Sequence, residues 1–559
     1  MRPVVRVLAV SFFSLIFLNG FFFKLKDPAE EILGRIPVQS GGRVKPFESF
    51  AREALLSVTG KRALEGRQAS GVVWDWIARP EDWYAKSFLS VKYAPLREDF
   101  SQGLIEGRVS PELVLTYPPF QEKVKEATGR QERKELLAPI ERKSSELYDQ
   151  ARLFQAIAQG SLPGLFPDPE NSEAGWIPVA GLADPQSRAL LESRYPPSEL
   201  AVVQASLARL LQALRGGEET NRPEAAREFS RSLEHLLESR DIVLDQAKIG
   251  AEIFYNRARP FQWACALYLA GALVWGFLRK RLPAFPLILF GLGFMAHSMG
   301  FVLRCQIAGR PPVTNMYESI IWVAWAAVLF SAVLGLVYRK SVLPAAAAWV
   351  AAFALLIGES FPAVLDPSLS PLVPVLRNNY WLTIHVLTIT LSYGAFALAW
   401  GIAHADLMSF AFHPERSEEQ DRLGKYLYRA LQIGVVLLAA GTILGGVWAN
   451  DSWGRFWGWD PKETWALIAL FGYLAVLHGR FAGWLGTFGT ALGSVLAFLG
   501  VLMAWYGVNF VLAAGFHSYG FGGGGLPYVL VAVLVDLAFV SFLAFRYNKF
   551  RRSFTNESA

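Results

Sequence analysis

The chain has 559 residues, 53% of them hydrophobic and 18% charged, with a formal net charge of +6. So much apolar surface excludes an ordinary soluble protein, and that share of charge excludes a purely membrane-embedded one; a bilayer part and an aqueous part are both expected. Its basic residues cluster beside apolar runs rather than forming a stripe, a pattern that reports membrane orientation and not nucleic-acid binding, and two cysteines, Cys265 and Cys305, build no disulfide framework.

In chain order, residues 1–23 carry Arg2 and Arg6 ahead of an apolar run ending at Phe23, with Lys24 and Lys26 behind it. No small-x-small cleavage site is evident, so an uncleaved N-terminal membrane anchor is expected rather than a signal peptide. Residues 24–259 are polar and hold no run near the roughly 20 apolar residues a spanning helix needs. Phe47, Phe50, Ala51, Ala54, Leu55 and Val58 recur at helical spacing, as do Leu200, Val203, Leu207, Leu210, Leu211 and Leu214 before a Gly216-Gly217 cap. A mainly helical soluble domain follows, with a Pro/Gly-rich loop from Phe166 to about residue 185, no catalytic constellation, and His235 as a surface residue.

After Pro260, nine apolar runs of spanning length predict helices over 262–278, 284–303, 318–337, 343–358, 381–405, 429–447, 462–479, 485–508 and 527–546. With the anchor they make about ten, and the expected fold is an all-α polytopic membrane protein: anchor 1–23, soluble domain 24–259, transmembrane domain 260–548 and tail 549–559. A cytoplasmic N-terminus puts Arg279-Lys280-Arg281, Arg339-Lys340, the charged stretch 413–429, Arg480 and Arg546–Arg552 inside, as the positive-inside rule requires. The same orientation puts the soluble domain, segment 359–380, the loop near 448–465 and the glycine-rich stretch 516–525 outside the cell membrane's inner face. The two cysteines read as buried small residues, with a bond between them as the alternative.

The stretch 448–465 places Trp448, Trp453, Trp457, Trp459 and Trp465 among glycines and acids. Trp gathers at membrane interfaces, but that belt accounts for one or two of these rings, and a platform for a flat, aromatic-stacking ligand accounts for all. Asp460, Pro461 and Glu463 supply a cap, a first helical residue and a capping box, so this loop is tied to the helix that follows.

Seven histidines are few enough to sort by depth. His385 lies about one turn below the outer end of its span and His517 just past the outer end of another, level with the tryptophans. Two imidazoles on opposite faces of a porphyrin make a six-coordinate iron site, so this pair is the candidate axial set for a haem on the tryptophan platform; singly, each also fits an interfacial histidine bonded to water or backbone. His404 and His478 match in depth near the inner side and make a second, inner haem conceivable, with interhelical hydrogen bonding as its rival. His297 lies on the order of 15 Å away along the normal and pairs poorly with His478.

Residues 446–465, Gly-Val-Trp-Ala-Asn-Asp-Ser-Trp-Gly-Arg-Phe-Trp-Gly-Trp-Asp-Pro-Lys-Glu-Thr-Trp, resemble the WWD signature of the CcsA (ResC) family of cytochrome c biogenesis proteins, the haem-handling component of System II. Leu477-His478-Gly-Arg480, Gly507-Val-Asn-Phe510 and His517-Ser-Tyr-Gly520 follow in family order. Arg304, Gly309, Pro312, Asn315 and Tyr317-Glu318-Ser319 resemble the family's hairpin, and the Tyr380–Val386 run with Tyr393-Gly394 resembles its first external histidine. Residues 36–46 are similar to a segment of some longer members.

The resemblance implies that His385 and His517 ligate an external haem b on the tryptophan loop, and that His478 ligates a transmembrane haem whose other histidine comes from a CcsB (ResB) partner. It implies a component of a cytochrome c synthase that presents haem to apocytochrome c Cys-x-x-Cys-His segments at the outer face of the cytoplasmic membrane. A haem exporter or chaperone without synthase activity and a bis-histidine redox carrier are the alternatives. With no Cys-x-x-Cys-His of its own, the chain is not itself a c-type cytochrome. Arg377, Arg455 and Lys462 are candidates for pairing with haem propionates or for a solvated surface role.

Overall fold

The computed structural model describes residues 27–557 apart from 102, 134, 136, 172–173, 217–220, 340–341, 362–364, 373–378, 416 and 513–524. The expected anchor over 1–23, Arg377 and His517 all lie outside the described residues. The chain divides into two compact units, 1–257 and 258–559.

In the first unit, Gly41 and Gly42 both take positive φ (61° and 78°), the two-residue turn that matches strand twist, so residues 36–46 form a hairpin of β1 (Pro37–Ser40) and β2 (Arg43–Pro46). Strands β3 (Leu89–Ser90) and β4 (Arg108–Val109) pair with each other, whereas β5 (Gly164–Phe166) and β6 (Ile177–Pro178) extend the hairpin into an antiparallel sheet of order β2-β1-β5-β6. The stretch read as loop from Phe166 to about 185 thus contains β6 and a 3-10 turn over Val179–Leu182. Strands of two or three residues are too short to carry a period.

Helices α1 (Phe47–Thr59), α2 (Ala69–Ala78), α3 (Pro139–Ala158), α4 (Pro197–Arg215) and α5 (Arg222–Glu238) bury their apolar faces in one core that also takes in Val38, Leu165 and Phe166 of the sheet. Phe47, Phe50, Ala51, Ala54, Leu55 and Val58 are all buried, and Trp74, Trp76, Phe154 and Phe229 complete an aromatic centre in which each ring contributes about 2–3 kcal/mol by leaving water. Gly216 caps α4 with φ −73°, in right-handed rather than left-handed geometry, and His235 is exposed with Nδ1 2.9 Å from Glu199 Oε2. Asp75 is buried where Arg67, Arg79 and the Trp83 indole converge on its carboxylate. Burial pushes its pKa up, yet the hydrogen bonds and charges of the two arginines outweigh it and hold the carboxyl below its usual range.

The second unit is a bundle of α6 (Pro260–Leu278), α7 (Phe285–Ala308), α8 (Met316–Tyr338), α9 (Val342–Ser360), α10 (Leu387–Phe412), α11 (Ser417–Trp453), α12 (Pro461–Phe481), α13 (Thr487–Leu502) and α14 (Leu526–Glu557). Among the described residues nine helices are long and apolar enough to cross a membrane. The protein is an all-α polytopic membrane protein, and the nine runs expected after Pro260 each find their helix. Several boundaries and turns differ from expectation. Helix α11 starts at Ser417 rather than 429 and continues six residues past 447 to Trp453, since nothing breaks it before Gly454; α14 runs on to Glu557, within the expected tail; and two spans carry π-helical turns, Leu382–Val386 ahead of α10 and Met503–Leu512 after α13. Cys265 and Cys305 are both free thiols.

Candidate functional site

Helix α11 turns a small-residue face toward α10. A Cβ on Gly441 would come within 2.9 Å of the Ile389 backbone, one on Gly445 within 2.6 Å of the His385 ring, and one on Gly446 within 2.6 Å of the Phe456 ring. Gly441 and Gly445 let the two helices close until the His385 imidazole sits against α11, and Gly446 makes room for Phe456 of the loop that follows. The π turn over Leu382–Val386 inserts an extra residue per turn and re-aims that side chain, as such bulges do at functional sites. Thr388 and Thr390 donate to the carbonyls of Ile384 and Val386 there.

His385 is fixed on two sides. Its Nδ1 donates to the Gly441 carbonyl at 2.9 Å, and its ring stacks on Trp448 with centroids 5.6 Å apart and planes inclined by 28°. A nitrogen that bonds a carbonyl must carry the proton, so in the neutral ring the lone pair belongs to Nε2. That is the tautomer a metal-ligating imidazole uses, with a backbone carbonyl in the orienting role.

Around it opens a cavity of about 150 Å³. It is lined by Trp448 and Trp457, by Ile389 and Tyr393 of α10, by Met316 and Ser319 of α8, and by Lys462, Trp505 and Asn509. Trp505 Nε1 donates to Ser319 Oγ at 2.7 Å, and Lys462 Nζ donates to Asn509 Oδ1 at 3.2 Å, tying the π-helical end of α13 to both neighbours.

The loop over the cavity is short and strapped down. Gly454, with φ +70°, ends α11. Asp460 caps α12 by accepting from Lys462 N–H at 2.9 Å, while Glu463 Oε2 accepts from the N–H groups of Gly458 and Asp460 at 2.8 and 3.2 Å, the capping box expected from the sequence. Arg455 Nη1 lies 3.3 Å from Glu463 Oε1. Trp381 Nε1 donates to Asp451 Oδ2 at 2.9 Å, joining the end of α11 to the start of the His385 span.

Beside the cavity a buried ion network fixes the hairpin between α7 and α8. Arg304 and Glu318, whose side chains are both 0% exposed, pair at 2.7 Å, and Arg310 approaches the same carboxylate at 3.3 Å. The arginines also donate to the carbonyls of Pro367 and Ser370, and Asn315 caps α8 through the Glu318 N–H. Buried charges are tolerated because each is paired and hydrogen-bonded, and the network holds Val313, Thr314 and Asn315 in the cavity wall.

Of the residues singled out from sequence, His385, Trp448, Trp457, Lys462 and Glu463 line one cavity. Trp453 packs behind Trp448 at 5.2 Å, Trp459 is 69% exposed and edge-on to Trp457 at 5.8 Å, Asp460 is a buried cap, and Trp465 is outside the lining. His478 is exposed on α12, its Nδ1 donating to the Leu474 carbonyl at 2.7 Å. His404 and His478 do not meet in a site: His404 engages the Trp400 carbonyl and Asp536 of α14, each at 2.9 Å, so both its ring nitrogens are taken up by the protein. His297 is buried, between the Tyr268 hydroxyl and the Ile321 carbonyl. Sequence reasoning missed Met316, Thr442 and Trp505 in the wall and Asp536 as the partner of His404; an acid inside an apolar run was the one signal available for the last.

A family model described as "Cytochrome C assembly protein" matches residues 313–516, the segment that contains this cavity. Protein NrfI of Wolinella succinogenes is 29% identical over 535 residues, covering 90% of this chain, which spans 56% of NrfI. Cytochrome c biogenesis protein CcsA of Prochlorococcus marinus (strain MIT 9303) is 33% identical over 271 residues, 42% of this chain and 83% of CcsA; that of Synechococcus sp. (strain WH7803) is 36% identical over 278 residues, 42% and 84% respectively. The chain therefore belongs to the CcsA (ResC) family of cytochrome c biogenesis proteins.

Proposed function

We propose that the protein binds haem b in the cavity beside the WWD loop, with His385 Nε2 and His517 as its axial pair, and presents it to the Cys-x-x-Cys-His segment of an apocytochrome c. The observation that carries this reading is the His385 ring, pinned by the Gly441 carbonyl and Trp448 in an aromatic-walled cavity. The aromatic lining suits the face of an iron porphyrin, whose ring is larger than the cavity of about 150 Å³ and would extend through its open side, and the steric intolerance of Gly445 for any side chain reserves the imidazole's position.

Haem is the substrate, and it supplies the reactive vinyl groups. In the attachment, each cysteine S–H adds across a vinyl C=C, forming one C–S and one C–H bond without net oxidation or reduction. The residues of this chain hold the porphyrin in one orientation and keep its reacting edge within reach of the thiols, the positioning that turns a bimolecular addition into an effectively unimolecular one. A CcsB (ResB) type membrane partner supplies the histidine opposite His478, consistent with the exposure of His478 on the bundle surface. On this reading the cavity faces the extracytoplasmic side of the inner membrane, an orientation that the clustering of basic residues supports.

Coexpression with a CcsB-type partner and an apocytochrome, scored for covalently attached haem, tests the reading. Attachment with the wild type and its loss in His385→Ala and His517→Ala is the expected result. Haem accumulating without attachment under those conditions points to a carrier or exporter instead.

A further inference from the structure

Three cations were candidates for reading the negative edge of a flat ligand, and the fold separates two of them. Arg455 lies against Glu463, outside the cavity lining. Lys462 lines the cavity itself, at the first turn of α12, and its ammonium donates to Asn509 on the π-helical end of α13. Asn509 is held in turn, its Nδ2 donating to the Trp505 carbonyl at 2.8 Å, and Trp505 is fixed to Ser319 of α8. The Asn509 amide therefore presents its oxygen to the lysine, whose side chain lines the cavity.

We propose that Lys462, positioned by Asn509, is the residue that recognises a carboxylate of the bound ligand and so sets which way round it lies. The inference rests on the haem reading given above and deepens it by naming the specificity-determining contact. An ammonium carries three donors, so it can keep the Asn509 amide and still donate to a carboxylate. Charge-assisted bonds of this kind are roughly twice as strong as neutral ones, more so among aromatic walls than in water. Haem carries both propionates on one edge and its vinyl groups toward the opposite one. Anchoring a propionate at Lys462 therefore turns the vinyl edge away from the α12–α13 side of the cavity, which fixes the edge that the thiols would meet.

The test is a haem titration of the purified full-length protein followed by absorbance, with free-acid haem and with its dipropionate dimethyl ester. The wild type should bind the free acid about tenfold more tightly than the diester, the size expected for one charge-assisted hydrogen bond. Lys462→Met should bring the two affinities within about twofold of each other by weakening only the free acid, and Lys462→Arg should keep most of the preference. Equal affinity of the wild type for acid and ester overturns the proposal without any variant, as does a Lys462→Met protein that still discriminates. Absence of any saturable haem spectrum in the wild type instead sinks the haem reading, and this proposal with it.

Discussion

Replacing Gly445 with alanine tests the geometry of the His385 site without touching the imidazole. The added Cβ would stand 2.6 Å from His385 Cε1, roughly 0.9 Å inside the ~3.5 Å optimum for carbon–carbon contact. The ring has the α11 backbone behind it and the open cavity ahead, so it must swing forward, off the Gly441 carbonyl and off the Trp448 face. Overpacking of this kind costs about 1–3 kcal/mol, or roughly 5- to 150-fold in haem affinity when it falls on the bound state. Gly472→Ala on α12 is the matched control, because its Cβ would meet only Ala497 at an ordinary 3.7 Å. Haem titration followed by absorbance is the assay. Unchanged affinity and spectrum in Gly445→Ala, with the control also unchanged, would refute the claim that this imidazole is seated by the glycine face and binds the ligand.

Glu318→Gln leaves Arg304 and Arg310 facing a neutral amide in a fully buried place; a loss of about 3–5 kcal/mol is expected, read as a lowered melting temperature by tryptophan fluorescence in detergent. His404→Ala, Asp536→Ala and their double variant should show a coupling of about 0.6–2 kcal/mol in unfolding measurements, with the haem spectrum unaltered throughout; a lost haem band in His404→Ala contradicts the assignment of that ring to helix packing. In the N-terminal unit, Asp75 has a folded pKa below its unfolded value of 3.8. Its contribution is therefore complete above about pH 4 and drains away as the pH falls through the lower folded value. Asp75→Asn should lower stability near neutrality and flatten its acid limb, measured as melting temperature from pH 2 to 7; an acid limb as steep as the wild type's contradicts this.

Much of the transmembrane architecture was legible because the bilayer dictates the length of each apolar run: 318–337 became Met316–Tyr338 and 462–479 became Pro461–Phe481. The Asp460–Glu463 capping box was readable because it is a local hydrogen-bond pattern with a fixed spacing. The tryptophan density suggests a loop throughout, whereas Trp448 and Trp453 sit on the last turns of α11; indole is compatible with helix, and only Gly454 carries a stop signal. The two π-helical stretches have no comparable sequence signature. Contacts such as His404 to Asp536, 132 residues apart, or Trp505 to Ser319, 186 apart, depend on helix order in the bundle, which periodicity does not encode.

The most direct measurement is the absorption spectrum of haem on the purified wild type, His385→Ala and His517→Ala proteins. A low-spin bis-imidazole spectrum in the wild type, converted in each variant to one with a single histidine ligand or lost, is what the account predicts. Spectra indistinguishable from the wild type in both variants would contradict it, leaving a family member whose aromatic cavity serves some other guest.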